Sequence, residues 1–120
     1  MTMIELFPVG DVPENSRKVI KVGGYTVLII HTQSQFFAVD NKCPHMRLPL
    51  QKGKISEDGE ITCPFHRSVF DLASGNVKEW ALWPPVVSKA LGSLAREKAL
   101  PVFETEVRDS MLWISSEPKA

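Results

Sequence analysis

Two short stretches of the chain place a cysteine close to a histidine. Residues 43–45 are Cys-Pro-His and residues 63–66 are Cys-Pro-Phe-His. Together they contain both cysteines and two of the three histidines of the chain. Thiolate sulfur and imidazole nitrogen are ligands for zinc and for iron. The spacing therefore predicts a metal site to which two turns contribute one thiolate and one imidazole each.

The cysteines have other interpretations, which the pattern favours less. A disulfide would leave the matched histidines as a coincidence, and a reducing cytoplasm disfavours it. Isolated buried thiols would suit apolar strands, whereas both cysteines precede proline in turn-forming contexts. Structural zinc is an alternative, although zinc sites tend to pair ligands as C-x2-4-C and H-x3-5-H. The mixed pairs suit a two-iron centre better, because one iron can take both thiolates and the other both imidazoles.

The two motifs and their spacing resemble those of Rieske proteins, in which C-x-H is followed, after about fifteen to seventeen residues, by C-x-x-H. Further matching positions are Leu-Pro-Leu at 48–50, then Phe70, Asp71 and Gly75 after the second motif. The resemblance extends over residues 4–114.

This resemblance implies that each chain binds one [2Fe-2S] cluster. Cys43 and Cys63 would bind the inner iron, and His45 and His66 would bind the outer, more exposed iron. Ser68 would donate a hydrogen bond to a bridging sulfide. Two neutral imidazoles in place of two thiolates remove negative charge, so the reduction potential rises to about −150 to +300 mV.

High-potential members of the family carry a serine and a tyrosine at the positions of Ser68 and Phe70, and an extra cysteine in each cluster loop. This chain lacks the tyrosine hydroxyl and the extra cysteines. We therefore expect an intermediate to low reduction potential, as in the soluble ferredoxin type.

The sequence departs from the family where glycines are common beside the histidine ligands. Arg47, Arg67 and Ser68 stand there instead, which puts the close packing that glycine permits in doubt. The two arginines could form a docking site for an acidic partner. The alternative is that they are solvated side chains in slightly wider loops.

Short apolar runs before the first motif predict an antiparallel meander. The predicted strands are 4–7, 17–22, 25–31 and 36–39, with turns at 23–24 and 32–35. We expect His31, at the end of the third strand, to lie on the surface. Because it is the only remaining histidine, the chain cannot also build the two-histidine, one-carboxylate iron site of oxygenases.

The later elements are predicted from turn residues and periodicity. Residues 51–60 predict a hairpin or loop that joins the two motifs, and 80–85 predict a rigid, proline-rich loop. Apolar residues at helical spacing predict an amphipathic helix near 86–100. Residues 102–107 and 111–115 predict a final hairpin, with its turn at 108–110.

These elements predict an all-β fold with one inserted helix. The resemblance implies an antiparallel sandwich or partly open barrel with a cluster-binding subdomain. The length of 120 residues fits one domain over 1–120, with its cluster-binding part at about 41–85.

Fourteen basic and fourteen acidic residues give a formal charge of zero, which disfavours nucleic acid as a partner. The longest apolar run, 27–30, is far too short for a membrane span. The residues at 1–5 do not resemble a signal peptide. We therefore expect a cytoplasmic protein.

The expected function is electron transfer, as a ferredoxin component that passes single electrons from a reductase to an oxygenase or similar enzyme. No substrate site of its own is expected, so the protein would not be an enzyme. One alternative is a non-catalytic redox-sensing or regulatory subunit of a larger oxidoreductase. A less favoured one is a zinc-stabilised interaction module.

Overall fold

The computed structural model describes residues 2–44, 48–64, 67–79 and 99–119. In these residues the chain forms eleven strands and one 3-10 turn, at Val9–Asp11. The strands are β1 (Met3–Pro8), β2 (Ser16–Val22), β3 (Tyr25–Thr32), β4 (Gln35–Asp40), β5 (Lys54–Ile55), β6 (Glu60–Thr62), β7 (Val69–Asp71), β8 (Val77–Glu79), β9 (Val102–Phe103), β10 (Thr105–Arg108) and β11 (Met111–Ser115).

The strands form three antiparallel sheets. The terminal sheet has the order β1-β11-β10, the central sheet β2-β3-β4-β9, and the cysteine sheet β5-β6-β7-β8. The prediction of an antiparallel all-β architecture is confirmed. Each sheet is open within the described residues, so none of them closes into a barrel. No helix in the described part of the chain has the length and apolar character needed to cross a membrane.

The central sheet is covered on both faces. Residues of a strand point alternately to its two sides, and β3 divides its four buried residues in this way. Leu28 and Ile30 belong to a core shared with the cysteine sheet. Val27 and Ile29 belong to a second core, shared with the terminal sheet. The uninterrupted apolar run at 27–30 is therefore the signature of a strand that is buried on both sides.

The hairpins of the meander follow the predicted order with small shifts. Gly23 has a positive φ of 57° and begins the turn between β2 and β3. The turn between β3 and β4 is shorter than predicted, because Thr32 and Gln35 pair with each other. Gln33 and Ser34 both have positive φ, at 53° and 59°, which is the geometry of a tight two-residue hairpin turn.

The predicted strand 102–107 is two strands in two different sheets. Val102 and Phe103 pair with β4 in the central sheet, whereas Thr105–Arg108 pairs with β11 in the terminal sheet. Between them, the backbone N–H of Glu104 donates to the Ser115 Oγ at 3.0 Å, so the chain crosses from one sheet to the other there. Arg108 lies in β10, and the turn consists of residues 109–110 alone.

His31 is partly buried, whereas we expected it on the surface. Its side chain is only 19% exposed. Its Nδ1 lies 2.7 Å from the carbonyl oxygen of Val12 and its Nε2 lies 2.9 Å from Oε2 of Glu14. The ring stacks on Phe36 with centroids 4.1 Å apart. His31 therefore fastens the end of β3 to the segment before β2.

The predicted loop at 80–85 lies outside the described residues. The predicted helix near 86–100 also lies outside them, apart from residues 99 and 100, which belong to no helix or strand.

Candidate metal centre

Two loops of equal length carry the cysteines. The backbone N–H of Cys43 donates to the carbonyl of Leu48 at 2.8 Å, and that of Cys63 donates to the carbonyl of Ser68 at 2.8 Å. Each bond closes a six-residue loop, at 43–48 and at 63–68. Antiparallel pairing flanks both loops, since Lys42 pairs with Pro49 and Thr62 with Val69 in the same way. The described ends of the two loops are thus alike, and a cysteine is the first residue of each.

Both thiols are fully buried and share one core. Cys43 and Cys63 have no exposed surface, and both belong to the core between the central and cysteine sheets. No disulfide joins these two described residues. Leu50, Ile61 and Phe70 lie in the same core. Although the cysteines are separated along the chain, the fold therefore brings them to a common apolar environment from which water is excluded.

The predicted histidine ligands belong to the same two loops by sequence. His45 is the third residue of the first loop and His66 the fourth residue of the second, but both lie outside the described residues. Ser68 is described: it is fully buried and its carbonyl closes the second loop. Cys43 and Cys63 are therefore the first residues of the two loops and Ser68 is the last residue of the second, and their roles at a cluster, like those of the histidines, stay predictions.

Asn41 is a supporting residue that the motif search missed. It is 5% exposed, and its side chain faces the segment that leaves the first loop. Its Oδ1 accepts from the backbone N–H of Leu50 at 3.2 Å, and its Nδ2 donates to Oε1 of Gln51 at 3.0 Å. A buried amide that uses both ends in this way holds the two sides of the loop together. Its only sequence signal is a polar residue shortly before the cysteine.

Arg17 ties the central sheet to the segment after the first loop. Its Nη1 donates to the carbonyl oxygens of Gln51 at 2.9 Å and Gly53 at 2.7 Å. Partial burial lowers the pKa of Arg17 from its ordinary value. A charged donor shared by two carbonyls is a strong contact, so Arg17 fixes this segment against β2. From the sequence, Arg17 was predicted only as a residue of the strand 17–22, without a role near the first loop.

Gly53 allows the segments of the two loops to approach each other closely. A Cβ at this position would lie 2.5 Å from the carbonyl oxygen of Thr62, the residue that precedes Cys63. The backbone N–H of Gly53 donates to the carbonyl of Leu50 at 2.7 Å. Because a side chain would push these segments apart, Gly53 contributes to the spacing of the two cysteine loops.

The turn after β7 is held by a carboxylate. Oδ2 of Asp71 accepts from the backbone N–H of Ser74 at 2.9 Å and from its hydroxyl at 2.7 Å. These hydrogen bonds, led by the Ser74 hydroxyl, lower the pKa of Asp71 below its ordinary value. The backbone N–H of Gly75 donates to the carbonyl of Asp71 at 2.7 Å. The Asp71 and Gly75 positions that match the family pattern thus form one turn.

Arg67 adopts a conformation that favours glycine. Its φ is 60°, while its backbone N–H donates to the carbonyl of Cys63 at 3.0 Å. Left-handed backbone costs a residue with a Cβ about 1–2 kcal/mol. Arg67 stands where the family often has glycine. The loop therefore keeps its backbone hydrogen bond, but the backbone of the arginine is strained.

We expect Arg67→Gly to be more stable than Arg67→Ala by about 1 kcal/mol, because both variants lose the side chain and only alanine retains a Cβ at positive φ. Thermal unfolding of the two cluster-loaded variants, followed by circular dichroism, measures the difference. About 1 kcal/mol corresponds to roughly 4 °C in Tm for a domain of this size. Equal Tm values, or a lower value for the glycine variant, would show that the conformation at Arg67 carries no strain.

The donor set fits the thiolate half of a two-iron cluster. Two buried thiols begin two similar loops in one dry core, and thiolates are the ligands of iron–sulfur clusters. Within the described residues, no group of three or more Cys, His, Asp or Glu side chains is assembled to hold a single metal ion. The described residues can therefore supply two thiolates, and the loops 43–48 and 63–68 carry one histidine each by sequence.

Curated relatives of the chain include two that are each 31% identical to it over 72 residues, or 60% of its length. One is Apoptosis-inducing factor 3 of Mus musculus, of which 12% is covered. The other is the ferredoxin component of the alkene monooxygenase system of Xanthobacter autotrophicus, of which 59% is covered. The chain therefore spans less than two thirds of either relative.

A solved structure shares the fold over the whole chain. The ferredoxin of carbazole 1,9a-dioxygenase from Nocardioides aromaticivorans matches with a TM-score of 0.75 and 19% identity, covering 99% of this chain and 100% of that one. The model of the family described as Rieske [2Fe-2S] domain matches residues 2–95. The resemblance inferred from the two motifs is thus confirmed: the chain belongs to the Rieske [2Fe-2S] domain family, and its cofactor is a [2Fe-2S] cluster.

Proposed function

We propose that the protein is a one-electron carrier, a ferredoxin component that receives electrons from a reductase and passes them to an oxygenase or similar enzyme. The observation that carries this proposal is the pair of equal six-residue loops, each of which begins with a fully buried cysteine of the same core. When bound, the cluster would supply one-electron redox chemistry. The relative from Xanthobacter autotrophicus is itself a ferredoxin component of a monooxygenase system.

Four side chains would hold the cluster. Cys43 and Cys63 would bind one iron from within the core, and His45 and His66 would bind the other. Both cysteines are fully buried, so their thiolates would be shielded from water. Ser68, which is fully buried in the second loop, would donate a hydrogen bond from its hydroxyl to a bridging sulfide and so raise the reduction potential.

The chain's own residues would support electron transfer by holding the loops in place. Asn41, Arg17 and Gly53 connect the first loop to the central sheet and to the strand that precedes the second loop. If the ligands move little when the iron changes its charge, the reorganisation energy of electron transfer is small. We assign no substrate site to the chain, which would act as a carrier and not as an enzyme.

Visible and EPR spectra before and after dithionite, on protein purified without oxygen, test this function. We expect a coloured protein that contains two iron atoms per chain. Reduction should produce an EPR signal with an average g value below that of four-cysteine clusters, as the family resemblance implies. A colourless protein with one zinc and no iron would contradict the proposal and would favour the zinc-stabilised interaction module.

We expect a midpoint potential below about +200 mV, the upper part of the range for such centres. Phe70, which stands where high-potential members carry tyrosine, is fully buried in the core of the two cysteines. Its ring has no hydroxyl to donate to a cluster ligand. Protein-film voltammetry measures the potential, and a midpoint above this limit would show that Phe70 does not set it.

We further propose that the chain is one domain with its cluster-binding part at about 41–85, and that it works in the cytoplasm. The single domain is supported by the core between the central and cysteine sheets, which contains both Leu28 and Phe70. Two thiols outside any disulfide suit a reducing compartment. Unfolding in a single cooperative transition would support the single domain. Fractionation of cells tests the location in the cytoplasm.

A further inference from the structure

The charges of the chain are segregated, although they sum to zero. Residues 41–56 and 61–70, which contain the two cysteine loops, hold five of the fourteen basic residues and none of the fourteen acidic residues. The rest of the chain therefore has nine basic and fourteen acidic residues. A zero sum does not exclude a local field. The two segments around the cysteines are therefore basic, whereas the turn between them, at 57–60, holds three acidic residues.

A groove of about 420 Å³ lies between the segment that follows the first loop and Pro64 of the second loop. Pro49, Gln51, Lys52 and Pro64 line it, so one proline comes from beside the first loop and the other from within the second. Lys42 is exposed and pairs with Pro49 at the base of the first loop. Two rigid, apolar prolines and Lys52 thus line the groove, and Lys42 lies next to it, opposite Pro49.

Within the part of the chain that the structure describes, no carboxylate forms an ion pair with Lys42 or Lys52. The two ion pairs within the described residues are Glu14 with His31 and Glu106 with Arg108, so neither includes Lys42 or Lys52. Between Asp40, at the end of β4, and Glu57, in the turn between β5 and β6, the sequence has no acidic residue.

We propose that this groove, with Lys42 and Lys52, docks an acidic redox protein. The inference rests on the proposed electron-carrier function and adds the chemistry of the partner. Opposite charges on two surfaces speed their encounter and orient them, and the prolines offer apolar contact without loss of side-chain freedom. A partner seated here would lie beside both cysteine loops, where the electron must enter or leave.

Stopped-flow reduction of the cluster-loaded protein tests this surface, with an acidic plant-type ferredoxin as the donor. One electron passes from the donor cluster, at roughly −400 mV, to the cluster of this protein, which lies higher. The donor is oxidised and the acceptor reduced, with no bond formed or broken. We expect the second-order rate constant to fall as salt rises to about 0.5 M, because salt screens the attraction.

Reversal of the two lysine charges, in Lys42→Glu/Lys52→Glu, should lower this rate about tenfold at low salt and flatten its salt dependence. The matched control is Lys21→Glu/Lys119→Glu, which changes the net charge equally at exposed sites outside the groove. Its rate should stay within about twofold of the unmodified protein. Equal losses in the two variants would overturn the docking surface, since only net charge would then matter.

Two further measurements separate the possible failures. Oxidation by cytochrome c, a cationic protein, should become faster with the groove reversal, and a slower reaction would contradict the proposal. Electron exchange with neither protein, although dithionite reduces the cluster, would overturn the carrier function along with the docking surface. Binding of a duplex DNA of about 20 base pairs that the groove reversal abolishes would overturn the acidic protein partner in favour of nucleic acid.

Discussion

Replacement of Cys63 by serine should yield a protein that retains almost no iron and no visible absorption. Serine has nearly the same size, but its hydroxyl does not ionise at neutral pH, whereas a thiol near iron does. The buried position of Cys63 offers no water to replace a lost ligand. Iron analysis and the visible spectrum of purified Cys63→Ser measure the effect.

The same replacement at Cys43 should give the same loss, and the double variant should be no worse than either single one. Two thiolates that belong to one site fail together, so their effects are not additive. Without the cluster, the folded state should lose about 4 kcal/mol or more of the stabilisation that a tightly bound group provides. Thermal unfolding of the three variants measures this common loss.

Ile61→Val is the matched control for these variants. Ile61 is fully buried in the same core, two residues before Cys63. Its replacement costs about 0.5–1.5 kcal/mol and should leave the iron content unchanged. If Cys63→Ser instead kept its iron and resembled Ile61→Val in stability, the two cysteines would be ordinary core residues.

The local features of this site could be predicted from the sequence. Each cysteine motif lies within one loop, and proline and polar residues mark the loop ends. The equal length of the two loops could not be predicted, because the histidine follows the cysteine by two residues in one motif and by three in the other. Backbone bonds from Cys43 to Leu48 and from Cys63 to Ser68 set that length, and sequence patterns do not show such bonds.

Contacts between distant segments could not be predicted either. The run at 102–107 has the composition of one strand, yet it is divided because Phe103 pairs with β4 of the central sheet and Thr105 with β11 of the terminal sheet. His31 has neighbours typical of a strand end, but its burial depends on Phe36 and Glu14. In both cases tertiary contacts override the local pattern.

Gly75 is the residue at which such a distant contact should matter most. It follows β7 and has a positive φ of 78°. The backbone N–H of Leu100 donates to its carbonyl at 2.8 Å. A Cβ at this position would lie 1.9 Å from the carbonyl oxygen of Leu100. This oxygen belongs to the backbone, so it cannot move away by a change of rotamer as a flexible side chain can.

Gly75→Ala should therefore destabilise the protein by at least about 3 kcal/mol, because a steric clash adds to the cost of a positive φ. Leu100 is buried in the same core as Cys43 and Cys63. Displacement of Leu100 should loosen the packing around both thiols, so the variant should also lose its cluster faster on warming. Thermal unfolding and the decay of visible absorption at a fixed temperature measure the two effects.

Gly24→Ala is the control, since a Cβ there would meet nothing within 4 Å. Its Tm should change by no more than about 2 °C, as expected for a surface substitution. If Gly75→Ala were as stable as Gly24→Ala, the segment that contains Leu100 would have room to move away from the turn. The contact between Gly75 and Leu100 would then not be needed to hold the core around the two cysteines.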